Sequence, residues 1–200
     1  LISFIKKIVR KIIRILSTFI LKILFIELKI TSGKNLNAVG LPIIDKAKGS
    51  SITIGNNLVI CSKDFSNPLG LNHKTIIRTI DENSKIKIGN DVGISGASIC
   101  ASNDIYIGDN VMLGANVQIS DTDFHAIKPL NRRHNRNKED VQTKSIMIEN
   151  NVWIGANSII LKGVKIGENS IIGAGSIVTN NVPANSIAAG NPAKIIKTIV

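Results

Sequence analysis

The spacing of apolar and polar positions changes once along the chain, near residue 30. Over residues 1–30 (LISFIKKIVRKIIRILSTFILKILFIELKI), Lys7, Lys11, Arg14, Thr18, Lys22 and Lys29 fall on one side of a helix, and Phe4, Ile5, Ile8, Ile12, Ile15, Phe19, Ile23 and Ile26 spread over the other. The pattern predicts an amphipathic helical arm. Its longest uncharged run is 15–21, far short of the roughly 20 apolar residues a bilayer span requires. A signal peptide fits poorly, because the basic run is long, Lys22 interrupts the apolar part and no A-x-A site follows. A helix lying in the interface of a membrane fits the pattern better; packing on its own protein or on a neighbouring subunit is the other reading.

Beyond the arm the period becomes six. From Ile148 the chain divides into IENNVW, IGANSI, ILKGVK, IGENSI, IGAGSI and VTNNVP, led by Ile148, Ile154, Ile160, Ile166, Ile172 and Val178. Upstream, Ile88, Ile94 and Cys100 keep the same step, and after one extra residue Ile107, Leu113 and Ile119 resume it. Nine of these twelve positions are Ile, which rules out chance in a chain where Ile is about one residue in five. The fifth position is restricted to Val or Ser (Val92, Ser98, Val111, Val117, Val152, Ser158, Val164, Ser170, Ser176, Val182), and Gly, Ala or Ser often follows the lead residue. A six-residue unit is a short strand and a turn, and three units close a triangular coil. The lead side chain then points inward onto its equivalent in the next coil. The slim fifth residue fits near a corner, and Gly or Asn supplies the corner backbone angles. An earlier partial coil begins near Ile54 (ITIGNNLVI, 52–60), residues 61–85 are expected to be irregular, and residues 121–144 form a polar excursion between two good coils. The C-terminal stretch VPANSIAAGNPAKIIKTIV is expected to leave the repeat through Pro183 and Pro192 and to cap it.

Composition agrees with a folded β-rich chain. Hydrophobic residues make up 44%, which excludes disorder, and the 39 Ile against 4% aromatics predict a core of branched aliphatics. The net charge of +11 is uneven: the first 30 residues carry +6 and the remaining 170 carry +5. Basicity therefore belongs to the arm and not to a groove, and no nucleic-acid partner is expected. Cys61 and Cys100 have no metal-ligand spacing; they read as reduced, buried thiols of a cytoplasmic protein, with Cys100 in an inward lead slot, and no metal is expected.

The segments IGDNVMLGANVQISDTDFH (107–125), NNVWIGANSIILKGVKIGENSIIGAGSIVT (150–179) and AAGNPAK (188–194) resemble the hexapeptide-repeat acetyltransferases, and among them the maltose- and galactoside-type sugar O-acetyltransferases of polysaccharide gene clusters. The resemblance covers about residues 40–197. It implies an all-β, left-handed parallel β-helix over 31–200, preceded by the arm at 1–30 and closed by a short C-terminal cap. It also implies a homotrimer with clefts between adjacent prisms, acetyl-CoA lying along each cleft, and transfer to a sugar hydroxyl of a capsule, exopolysaccharide or lipopolysaccharide precursor. The arm would then hold the enzyme peripherally on the inner face of the cytoplasmic membrane, beside lipid-linked acceptors.

Acyl transfer to an alcohol needs a base for the hydroxyl proton and donors for the oxyanion. Imidazole titrates near neutrality, and the chain has three His: His73, His125 and His134. His125 closes DTDFH, where the family places its catalytic His. Asp123 is the candidate for holding the imidazole tautomer, with a backbone carbonyl as the alternative. The galactoside-type pattern has Gly before this His and Pro after it; Phe124 and Ala126 stand here, which bears on the acceptor pocket. Arg132 and Arg133 can attract an anionic acceptor or a CoA phosphate. By the same motif matching, Trp153 lines the cleft near the pantetheine arm, and Ala156, Ala174 and Thr179 contact CoA through their backbones. Lys194 and Lys197 lie near its phosphates, and Ser95 and Gly96 line the acceptor site. Three other readings stay open: an N-acyltransferase on an amino sugar nucleotide, a zinc hydratase of the γ-type carbonic anhydrase kind, and a non-catalytic scaffold.

Overall fold

The computed structural model describes residues 1–135 and 137–199. One helix, α1 (Ile2–Glu27), precedes a three-faced prism of parallel strands. The first face holds six strands, from Thr31–Ser32 to Lys165–Ile166, and the third face six, from Ile43–Lys46 to Ile177–Val178. The second face begins at Asn37–Val39 and ends in an antiparallel hairpin, Ser186–Gly190 with Ala193–Thr198, so the C-terminal cap extends this sheet by pairing.

The repeat becomes columns. Ile88, Ile107, Ile148 and Ile166 are in register on the first face, and Ile94, Leu113, Ile154 and Ile172 on the second. The third face stacks Ile77, Ile99, Ile119, Ile160 and Val178. All of these are essentially buried, each burial worth roughly 1.5–3 kcal/mol. At the corners the slim residues are Val92, Val111 and Val152, with Ser158, Ser170 and Ser176 in the later coils. Burying a hydroxyl is tolerated because each Ser donates to a main-chain carbonyl: Ser158 and Ser176 to Gly173, at 3.0 and 2.6 Å, and Ser170 to Pro183 at 2.7 Å. Asn57, Asn110, Asn151, Asn169 and Asn185 take positive φ at the first corner, where Asn151, Asn169 and Asn185 link side chain to side chain at 3.1 and 2.8 Å. A glycine follows the lead residue where coils stack closely: a Cβ on Gly114 would lie 2.7 Å from the Ala156 amide nitrogen.

Several expectations are corrected. Cys100 is not an inward lead residue; Ile99 and Ala101 point into the prism, and Cys100 lies half-buried on the outside, opposite Ser120. The cause is the corner Ser95–Gly96–Ala97, which is one residue shorter than Gly114–Val117 and closes through Gly96 at φ +57°. Ala97, not Ser98, therefore fills the buried corner slot. Cys61 is also only half-buried. Residues 61–85 are not all irregular, because Ile76–Thr79 is an in-register strand of the third face. The first coil is complete and begins at Thr31, well before Ile54.

Helix α1 lies over the first coil through Ser17, Leu21 and Phe25. Thr18 Oγ1 accepts from the Ala38 amide at 2.9 Å, and Ser17 Oγ from the Gly40 amide at 3.2 Å. These bonds satisfy groups at the open end of the prism, where no further coil supplies partners.

Candidate functional site

The polar excursion springs from the third corner at Asp121 and returns at Ser145. Its base is closed by an antiparallel bridge between Thr122 and Thr143, by the Lys144 amide donating to the Asp121 carbonyl at 2.9 Å, and by the Asp123 amide donating to Gln142 at 3.1 Å. Asp121 itself is fully buried and accepts the Ser102 and Asn103 amides of the preceding coil at 2.7 and 2.9 Å. Burial raises its pKa, against the opposing effect of the two amides. Asp121 is thus the joint between loop and prism.

The loop borders an open cleft of about 800 Å³ at this corner. His125, Phe124 and Arg133 line it from the loop, Asp81 and Ser102 from the prism, and Lys138 from the loop's return. His125 is exposed, with its ring facing the cleft and free of protein hydrogen bonds among the described residues. Phe124 sits at φ +61°, in the region that the Gly of the galactoside-type pattern would occupy without strain, and its side chain is 54% exposed at the cleft. Its amide donates to Thr122 Oγ1 at 3.2 Å. Ala126 is buried beneath the loop.

Asp123 is engaged elsewhere than on the imidazole. Its carboxylate pairs with Lys162 Nζ at 2.7 Å, both side chains being about a quarter exposed, and no hydrogen bond joins it to His125. The reason is local: Lys162 belongs to the next coil's turn at the same corner, directly beneath the loop base. Arg132 donates to the Ile127 carbonyl of its own loop, so among the described residues Arg133, not Arg132, is the arginine at the cleft. Asp81 accepts from Lys138 and Ser102. Partial burial would raise its pKa, but these two donors and the ammonium charge outweigh that effect and lower it. Lys162, Asp81, Ser102 and Lys138 were not marked by any sequence motif, because each acts through a contact between coils.

The remaining candidates lie on another part of the prism. Trp153 projects from the second face, half-exposed, in an outward row with Met112, Ile171, Ile187 and Lys197. Lys194 is exposed on the same terminal hairpin. Ser95, Gly96, Ala156 and Ala174 share the second corner, where His73 also lies; its Nδ1 is 2.7 Å from the Lys74 carbonyl, so that nitrogen carries the proton and donates. Thr179 is exposed at the third corner, below the loop. Within one chain, then, His125 and Arg133 come together, and the residues matched to CoA and acceptor contacts lie mainly on a different corner and face. His134 is exposed on the loop, and Arg136 lies outside the described residues. Among the described residues no three His, Cys, Asp or Glu side chains form a cluster suited to a metal ion.

A parallel prism of six-residue units, with a polar loop carrying a His at one corner, defines a hexapeptide-repeat transferase scaffold. Comparison with known proteins agrees. The family described as bacterial transferase hexapeptide (six repeats) matches residues 145–180, and the hexapeptide repeat of succinyl-transferase matches 104–120. Galactoside O-acetyltransferase of Lactococcus lactis is 45% identical over 96 residues, and that of Escherichia coli 45% over 95; each alignment covers 48% of this chain and 44% of the relative. The chain thus spans less than half the length of these relatives. A solved galactoside acetyltransferase in complex with coenzyme A is 32% identical, covering 85% of this chain and 65% of that one, with a TM-score of 0.53. An N-acyltransferase of Bacillus cereus, AntD, has a TM-score of 0.66 over 90% of this chain and 89% of its own at 23% identity, a likeness of fold. Hexapeptide repeats of the bacterial transferase type thus occupy residues 104–120 and 145–180 of this chain, and its fold is the left-handed parallel β-helix of these solved structures.

Proposed function

We propose that this protein transfers an acetyl group from acetyl-CoA to a sugar hydroxyl. The observation that carries the reading is an exposed His on the corner loop of this prism, facing an open cleft, in a chain 45% identical over half its length to galactoside O-acetyltransferases. In the proposed step His125 accepts the hydroxyl proton as the sugar oxygen attacks the thioester carbonyl carbon. The carbon–sulfur bond then breaks, and the imidazolium returns the proton to the leaving sulfur, giving an acetyl ester and free CoA thiol. Atoms balance without an acyl-enzyme or a metal.

The division of candidates between two corners supports a cyclic homotrimer. In a closed three-fold ring each interface is heterologous, so the third corner of one prism faces a different surface of the next. That surface, in our reading, is the second corner and second face, with Trp153 along the pantetheine arm, Ala156 and Ala174 offering backbone contacts, and Lys194 and Lys197 meeting the CoA phosphates, while Thr179 would add its backbone contact from the third corner of the protomer that carries the loop. Arg133 would favour an anionic acceptor such as a precursor of a surface polysaccharide, Lys138 being already paired with Asp81.

The test is acceptor-dependent thiol release from acetyl-CoA across a panel of neutral, acidic and amino sugars, with the product treated with hydroxylamine. A hydroxylamine-labile acetyl ester on a hydroxyl acceptor is the expected result. A stable amide on an amino sugar alone would replace this reading with N-acyl transfer.

A further inference from the structure

Helix α1 joins the prism mainly through one side of its second half, and in its first half Arg10 stacks over Phe65, 5.1 Å from the ring centroid. Ser17, Leu21 and Phe25 face the first coil, with Leu24 and Leu28 packed against the same core. At 100° per residue, the opposite side is a stripe formed by Ile8, Ile12, Ile15, Phe19, Ile23 and Ile26, each between 42% and 79% exposed. Twelve large apolar side chains of this helix are exposed in all, along a rod of about 39 Å. A single prism leaves this surface in water, where a contiguous apolar area of that extent marks an interaction site.

Charge decides among the occupants. Lys11 and Lys22 border the stripe on one side, Lys7 and Arg14 lie farther round on that flank, and Lys6 and Arg10 lie on the side away from the stripe; all are exposed. Glu27, at the last turn, is the only acid of the helix. A second copy pressed face to face would offer these ammonium groups no acidic partner beyond its own Glu27. An anionic lipid surface accepts the apolar stripe among its acyl chains and the ammonium groups at its headgroups. No helix of the described residues is long and apolar enough to cross a membrane, so the contact is in the plane of the interface.

We propose that α1 seats this protein on an anionic lipid surface, its apolar stripe immersed and the N-terminal end of the prism turned toward the lipid. This inference stands independently of the acetyl-transfer reading. The full chain is mixed with vesicles of phosphatidylcholine containing about one-third phosphatidylglycerol and floated on a density gradient, with pure phosphatidylcholine vesicles in parallel. The protein is expected to rise with the anionic vesicles and to partition at least about tenfold less into the neutral ones, with the difference shrinking at about 1 M salt. Ile12→Glu with Phe19→Glu breaks the stripe without touching Leu21 or Phe25, and is expected to abolish flotation at an unchanged melting temperature and assembly size. Phe19→Trp reports the same event as a blue-shifted emission when anionic vesicles are added. Absence of flotation with anionic vesicles, or equal flotation of the double variant, overturns the proposal. So does a double variant that changes the size of the vesicle-free assembly, because the stripe is then covered by a second copy.

Discussion

Replacing Asp121 with Ala tests whether the corner, and not the loop's own sequence, holds His125 at the cleft. The carboxylate is fully buried and accepts two main-chain amides at 2.7 and 2.9 Å. A hydrogen bond to a charged group is worth about 1.5–3 kcal/mol, and the desolvation of the carboxylate offsets part of the sum. In Asp121→Ala the Ser102 and Asn103 amides lose that partner, so we expect a net loss of about 3 kcal/mol. For a chain of this size that is a fall in melting temperature of about 6–12 °C. Asp121→Asn keeps one acceptor oxygen, and its loss should be about half as large. The assay is thermal unfolding followed by circular dichroism, with limited proteolysis of the 121–145 loop under native conditions. Asp121→Ala is expected to be cut in the loop at least about tenfold faster, because its base has lost its joint to the prism. An Ala variant that melts within about 1 °C of the parent, with an equally resistant loop, would refute the assignment of Asp121 as the joint.

Other outcomes follow from the same geometry. A double-mutant cycle on Asp123 and Lys162 should give a coupling of about 0.5–1 kcal/mol, as for a partly exposed pair, and Lys162→Met should raise the acceptor KM with little change in melting temperature. Phe124→Gly removes left-handed strain and adds unfolded-state entropy, so stability should change by less than about 1 kcal/mol; Phe124→Val, β-branched at φ +61°, should lose about 1–2 kcal/mol. Because the Asp81 pKa is lowered, its contribution to stability is full above the ordinary carboxylate value near 4 and is lost as the pH falls through the depressed value. Urea melts at about pH 6 and pH 3 should therefore show a smaller acid loss in Asp81→Asn than in the parent; an equal loss would show that the pair with Lys138 contributes nothing. If the site lies between protomers, inactive His125→Ala and Trp153→Ala chains refolded together at equal ratio should recover about a quarter of the parental activity, and no recovery would place the site within one chain.

The columns of the prism were legible because an inward residue recurs at a fixed step and Ile fills nearly every slot. That step misled at one place. It carried the phase through Ser95–Gly96–Ala97 as though the corner had its usual length, and so put Cys100 inside where Ile99 belongs. The strands Asn37–Val39 and Ile76–Thr79 escaped because residues 62–75 interrupt the count and each strand is too short to show a period alone. At the site, DTDFH marked the loop and its His. The anchoring by Asp121 and the pairing of Asp123 with Lys162 could not be read there, since a carboxylate's partner lies one coil away in space and 18 to 39 residues away in sequence.

The central claim is that His125 serves as base for acetyl transfer to a hydroxyl. The most direct test is thiol release from acetyl-CoA, with an accepted sugar, by the parent, His125→Ala and His73→Ala chains of equal assembly size. The account predicts a loss of about a hundredfold or more in His125→Ala, with His73→Ala retaining activity. Equal turnover by His125→Ala and the parent, with loss in His73→Ala, would contradict it and move the base to the second corner, where the Lys74 carbonyl already orients a ring.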